Sequence, residues 1–169
     1  VVALHGGSGN GRAFLWSWLR AARSHGAIVV APTAIGQTWA LTGPDLDTPN
    51  LAHIICEVGA RWTLDRQRLL LTGMSDGGTF CYVSALEADS PFTHLAPVCA
   101  AFHPMLLSVA DADRLRGLRV HAVLAVAPGQ TLPDGLALAH WCRATLEAFK
   151  APRQWWCGHG AWPQTRGGK

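Results

Sequence analysis

Residues 73–78 read Gly-Met-Ser-Asp-Gly-Gly, a small-residue turn with one hydroxyl at its centre, Ser75. The apolar run Leu69-Leu70-Leu71 leads into it and a helix-compatible segment leads out. That context gives the Gly-x-Ser-x-Gly pattern its chemical meaning. A serine on a tight strand-to-helix turn projects its hydroxyl above the sheet. The flanking glycines allow a close backbone approach that a Cβ would obstruct, and the start of the helix favours negative charge developing there. Ser75 is therefore the candidate nucleophile for acyl transfer. Such a reaction also needs preorganised backbone N–H donors for the oxyanion. One is expected from Asp76, the residue after the nucleophile. The other is expected from a glycine-rich loop about seventy residues upstream, Leu4-His5-Gly6-Gly7-Ser8-Gly9, with Gly7 as the candidate. The same loop could cradle a phosphate, but it has neither the Gly-x-Gly-x-x-Gly spacing nor the Gly-Lys-Ser/Thr ending which that role requires. An ordinary strand-to-helix turn holding a serine is the competing, non-catalytic reading.

The elements that must position these residues follow from the apolar pattern. Residues 1–4 form a short apolar strand ending in the glycine-rich turn. Phe14, Leu15, Trp18, Leu19 and Ala22 recur at helical spacing, which predicts a helix over 12–25 closed by Gly26 as a left-handed cap. A buried strand is expected at 27–31, stopped by Pro32, followed by a Gly-, Pro- and Asp-rich connection over 33–49 that contains Trp39. Further helices are expected at 50–62, 77–87, 105–116 and 136–149, and further strands at 68–72, 94–99 and 120–126. Apolar strands alternating with helices are the signature of a mostly parallel sheet with helices on both faces.

Composition excludes several alternatives. The 169 residues suit one domain, 1–169, with a sizeable core. No stretch reaches the roughly 18 uncharged apolar residues of a membrane span. The formal net charge is only +3 and the basic residues are scattered, so no nucleic-acid partner is implied. Five cysteines without Cys-x-x-Cys spacing argue against a disulfide framework and a zinc site, leaving free buried thiols as the expectation. The chain opens on a strand without an initiator Met, so its natural start, with further N-terminal strands, is expected upstream. After residue 149 hydrophobic periodicity fades and tryptophans accumulate, an atypical C-terminal tail.

Leu4-His5-Gly6-Gly7, then Ala31-Pro32 with Trp39 downstream, then the run from Asp65 to Gly78, resemble the polyhydroxybutyrate depolymerase, feruloyl esterase and carboxylesterase group of α/β-hydrolases. The resemblance covers about residues 1–104 and weakens beyond about 120. It implies the α/β-hydrolase fold, a Ser-His-Asp triad, a small-molecule or polymeric carboxylic ester as substrate, a substrate-binding role for Trp39, and neither cofactor nor metal.

The chain order in that fold is Ser, then Asp or Glu, then His. His121 falls in an expected strand and His140 in an expected helix, where structural roles suit them better. His159 stands in a loop, Cys157-Gly158-His159-Gly160-Ala161-Trp162-Pro163, which is similar to the family's Gly-Gly-His-x-Trp-Pro ending with one extra residue. His159 is the expected general base. Aligning the family's acid-loop proline with Pro133 puts Gly129 where the carboxylate belongs, and Asp134 is the acidic residue left in that loop. Asp134 is thus the expected acid, in a displaced register that implies an impaired triad. Either the coding frame shifts near residue 122 or the loop has diverged. Two other readings stay open: a prolyl-oligopeptidase-like peptidase domain, and a degenerate hydrolase module that only binds.

Overall fold

The computed structural model describes residues 1–103, 106 and 112–123. The helix expected over 136–149, the tail, and the residues Gly129, Pro133, Asp134, His140 and His159 lie outside the described residues.

Val2–Leu4 form strand β1, all three residues 5% exposed or less, because a segment with no polar face has to be covered on both sides. Leu70–Met74 (β2) lies parallel beside it, with Leu4 opposite Gly73. His94–Val98 (β3) continues the sheet, with Met74 opposite Val98, and Arg119–Val120 (β4) follows, giving the order β1-β2-β3-β4. Beyond Val120 the pairing with β3 goes on through a bridge between Val98 and Val123. On the free side of β1 the strand expected at 27–31 contracts to one parallel bridge, Val2 to Val30, held by Ala3 N–H to Val30 O at 2.8 Å and Val30 N–H to Val1 O at 2.9 Å. Pro32 removes the next donor, so the ladder stops there. The chain therefore leaves β1 for one neighbour and later returns to the other. Crossovers between parallel strands are right-handed in nearly all proteins, which places such a pair of connections on opposite faces of a sheet.

The helix expected over 12–25 is two helices, Gly11–Leu15 (α1) and Leu19–His25 (α2). Asn10 caps the first through its side chain, and Gly26 ends the second at φ 58°. Between them the bonds Ser17 N–H to Phe14 O and Trp18 N–H to Leu15 O span three residues rather than four, a tightening that apolar spacing does not reveal. Asp47–Arg61 (α3) begins earlier than expected because Asp45 Oδ1 accepts from the Asp47 and Thr48 amides, both at 2.9 Å. Asp76–Ala85 (α4) packs on the sheet, and within the helix expected over 105–116 Leu106 is helical and Ala112–Gly117 form α5. Leu51 and Ile55 of α3, Phe80, Cys81 and Ala85 of α4, and Leu71 and Leu95 of the strands share one buried cluster. Among the described residues Cys81 is buried as expected, whereas the free thiols of Cys56 and Cys99 are exposed. Burial pushes the Cys81 thiol far above its ordinary range, which leaves it inert as a nucleophile.

Sheet and helix meet backbone to backbone at the start of α4. A Cβ on Gly77 would stand 2.4 Å from the His5 carbonyl oxygen and 2.7 Å from that of Leu4; a Cβ on Gly73 would stand 2.5 Å from the Gly77 carbonyl carbon and oxygen. Main-chain atoms cannot swing aside, so the first methyl must push α4 off β1. Gly77→Ala is expected to lower stability by about 1–3 kcal/mol in urea unfolding, the usual cost of overpacking. Gly117→Ala, where nothing lies within 4 Å, serves as the control, with a change of about 0.5 kcal/mol or less.

Where α4 ends, Asp45, Glu87 and Asp89 line one cavity with Thr48 and Ser90. Loss of solvation, then repulsion by Asp45 and Asp89, holds the Glu87 carboxyl above its ordinary range. The folded chain keeps this proton at pH values where the unfolded chain has lost it. Glu87 therefore subtracts stability at neutral pH, and the penalty disappears once pH falls below the unfolded value of about 4.3. Glu87→Gln is expected to raise the melting temperature at pH 7 and to leave it unchanged at about pH 3. An equal shift at both pH values would show that charge is not the cause.

Candidate active site

β2 ends at Met74, α4 begins at Asp76, and the one residue between them, Ser75, has φ 54° and ψ −117°. A conformation this unfavourable for an L-residue persists only where its surroundings fix it. Ser75 N–H donates to Val98 O at 3.0 Å, and Ser75 O accepts from Thr79 N–H at 2.8 Å and from the Thr79 hydroxyl at 3.2 Å. That hydroxyl accepts in turn from Ala101 N–H at 3.0 Å. The turn is thus tied to β3, to the segment after β3 and to its own helix, while the serine itself is exposed. Ser8 and Cys99 are the other non-glycine residues with positive φ among the described residues. All three follow the carboxyl ends of strands, β1, β2 and β3 respectively.

The glycine-rich loop after β1 is built around His5, which is 2% exposed. Its Nε2 faces the Ala34 amide at 3.1 Å, and because an amide can only donate, Nε2 is the acceptor. The ring proton therefore resides on Nδ1, which donates to Gly6 O at 2.7 Å. His5 O accepts from the Trp39 indole N–H at 2.8 Å. The loop so fixed runs along the Ser75 turn: a Cβ on Gly6 would lie 3.6 Å from Ser75 Cβ, and one on Gly7 would lie 2.6 Å from Asp76 Oδ2. The structure thus brings Gly7 together with Ser75 and Asp76, nearly seventy residues further along the chain. No hydrogen bond runs from the Gly7 or Asp76 amide to another described residue.

Trp39, expected against substrate, is 1% exposed and has no surface to offer a ligand. It stacks on Phe80 with ring centroids 5.6 Å apart, lies 4.9 Å from the His5 ring, and supports the loop from below. Asp47, which the sequence reading did not single out, is 2% exposed and accepts from Ile35 N–H and Ala40 N–H, both at 2.9 Å. It clamps the two ends of the segment that carries Thr38 and Trp39. Thr38 donates its hydroxyl to Asp76 Oδ2 at 2.8 Å. Helix-start chemistry in Asp45-Leu46-Asp47-Thr48 was the available signal for Asp47, but no local pattern points to its distant amide partners.

His94 begins β3, at the end of the sheet opposite Ser75, and His121 is exposed after β4. Neither is placed to serve the Ser75 hydroxyl from the strand ends. The site lies at the carboxyl ends of β1 and β2, where the chain, having gone from β1 to the Val30 side, returns to β2, so that the strand order reverses there. Open parallel sheets bind ligands at such switch points. Among the described residues no group of side chains could hold a metal ion, and no helix is long and apolar enough to cross a membrane.

No protein-family model matches the chain, and no curated protein does. Solved structures do. LpqC, a poly(3-hydroxybutyrate) depolymerase from Bordetella parapertussis, is similar with a TM-score of 0.54 at 20% identity, over 81% of this chain and 59% of its own. FphF, a fluorophosphonate-binding serine hydrolase of Staphylococcus aureus, matches with a TM-score of 0.52 at 23% identity, over 63% of this chain and 44% of its own. A thermostable esterase matches with a TM-score of 0.55 at 18% identity, over 72% of this chain and 36% of its own. The chain spans less than half the length of the latter two. The parallel strand order, the Ser75 turn after β2 and these likenesses agree: the fold is that of the α/β-hydrolases.

Proposed function

We propose that this chain is part of a serine hydrolase that cleaves carboxylic esters, with Ser75 as nucleophile at a nucleophile elbow. The observation that carries this reading is the strained, exposed Ser75 at the carboxyl end of β2, with the Gly6-Gly7 backbone running alongside it. A serine held this way has little structural use, since Ser75 Oγ makes no hydrogen bond to another described residue, and the strain presents the hydroxyl outward. The ester-cleaving neighbours support the substrate class.

In the proposed mechanism Ser75 Oγ attacks the ester carbonyl carbon as His159 accepts its proton. The Gly7 and Asp76 amides stabilise the oxyanion of the tetrahedral intermediate. Collapse breaks the C–O bond, and the alcohol leaves with the proton returned by His159. Water, deprotonated by the same imidazole, then attacks the acyl-enzyme, and the acid is released as Ser75 recovers its proton. Asp134 would orient His159, from a loop whose register is displaced by comparison with the depolymerase-like pattern.

A fluorophosphonate probe is expected to label the wild-type chain on Ser75, and Ser75→Ala is expected to abolish labelling. Equal labelling of both would refute the nucleophile assignment. Hydrolysis of a short-chain nitrophenyl ester is expected to be slow, with Asp134→Asn changing kcat less than about tenfold. Neutralising a well-placed triad acid costs about ten-thousandfold, so a loss of that size would show the acid in place and the triad intact.

A further inference from the structure

We infer that Thr38 is a positioning residue of the oxyanion site, one whose hydroxyl keeps the Asp76 carboxylate from occupying the amides meant for the oxyanion. The inference rests on the acyl-transfer reading of Gly7, Ser75 and Asp76. Asp76 is the first residue of α4, where a carboxylate is drawn towards free amides at the helix start. Its Oδ2 lies so close to Gly7 that a Cβ there would stand only 2.6 Å away. An anionic oxygen is thus built in beside both proposed donors, one of which is its own residue's amide. Left to rotate, it would compete with the substrate's developing oxyanion for them and repel that charge as well.

The hydrogen bond that Asp76 Oδ2 does make comes from Thr38, at 2.8 Å. Thr38 can hold it because its own position is over-determined. Trp39, the next residue, is buried and donates to His5 O. Ala40 and Ile35 on either side donate to the two oxygens of the buried Asp47 carboxylate. The hydroxyl is therefore presented from a fixed segment, and it engages Oδ2, beside Gly7, in a hydrogen bond of its own, while no hydrogen bond runs from the Gly7 amide to that oxygen.

The test follows fluorophosphonate labelling of Ser75 as a function of probe concentration, with folding checked by thermal melting. Thr38→Val removes the hydroxyl at nearly constant volume and is expected to lower the maximal labelling rate about ten- to hundredfold, somewhat less than losing an oxyanion donor outright. The half-saturating probe concentration should stay within about twofold, because the effect falls on the transition state. Thr38→Ser should restore the rate, and Thr38→Val should have no further effect in an Asp76→Ala background. A merely structural role for Thr38 would persist in that background. Should the valine variant fail to fold, Thr38→Ala tests the same loss. If Ser75 labels in the wild type and Thr38→Val labels at the same rate, the inference is overturned while the hydrolase reading stands. If labelling of the wild type survives Ser75→Ala, the hydrolase reading fails and the inference fails with it.

Discussion

Ser75 is held at φ 54° and ψ −117°, a backbone conformation that costs an L-residue about 1–3 kcal/mol, and the local structure has to outweigh that cost. Two backbone hydrogen bonds act directly on the residue, one from its amide to Val98 and one to its carbonyl from Thr79. Each contributes about 0.5–1.5 kcal/mol net. One turn further on, Phe80 is fully buried, which stabilises α4 in place by about 1.5–3 kcal/mol. The strain is therefore affordable only while α4 stays docked. Docking in turn requires Gly73 and Gly77, because any side chain there meets backbone. Burial of Phe80, the bare backbone at Gly77 and the outward hydroxyl of Ser75 are consequences of one geometric demand.

The other half of the site is fixed by a chain of polar contacts that begins far from Ser75. A carboxylate that is 2% exposed, like Asp47, is tolerable only when its oxygens are hydrogen-bonded, and the Ile35 and Ala40 amides each donate to one of them. The amides belong to the segment that delivers Trp39 beneath the His5 carbonyl. His5, locked in one tautomer by an amide on one side and a carbonyl on the other, then sets the path of Gly6 and Gly7. Removing one member of such a network leaves its partner buried and unpaired, which costs more than the lost bond itself. A loop of four glycine and serine residues acquires a defined shape in this way, although glycine by itself would leave it free.

What the sequence reveals and what it hides divide along the same line. The Ser75 turn is legible because its requirements are local: a strand, small residues at fixed offsets, a helix. The sheet is legible because Val2–Leu4, Leu70–Met74 and His94–Val98 are short apolar runs between turn signals. The contraction of residues 27–31 to a bridge at Val30 depends on Pro32 and on which strand lies alongside, and the split at Trp16–Trp18 depends on hydrogen bonds that apolar spacing does not encode. Trp39 misleads for a related reason. A tryptophan in a long loop reads as a ligand contact, but its indole N–H finds a carbonyl thirty-four residues upstream and its ring finds Phe80. Asp47 is invisible as an anchor until its two distant amides are brought to it.

On the proposed reading the chemistry falls into two parts with different structural debts. The electrophilic part, the Gly7 and Asp76 amides around Ser75, depends on β1, β2, α4 and the Asp47-held segment, all among the described residues. The basic part, His159 and its acid, depends on a stretch whose resemblance to the esterase pattern is weakest. The two need not fail together. In a serine hydrolase stripped of its triad, the oxyanion donors and binding alone retain about 10³–10⁴ of the rate enhancement over water. That residue of activity requires the amides to be free and correctly spaced, which is a property of backbone geometry and survives any change in the acid loop that leaves the sheet intact. A displaced acid would then lower the rate of acyl transfer without changing which carbonyl is attacked, since the position of that carbonyl is set by the two amides and by the strained serine between them.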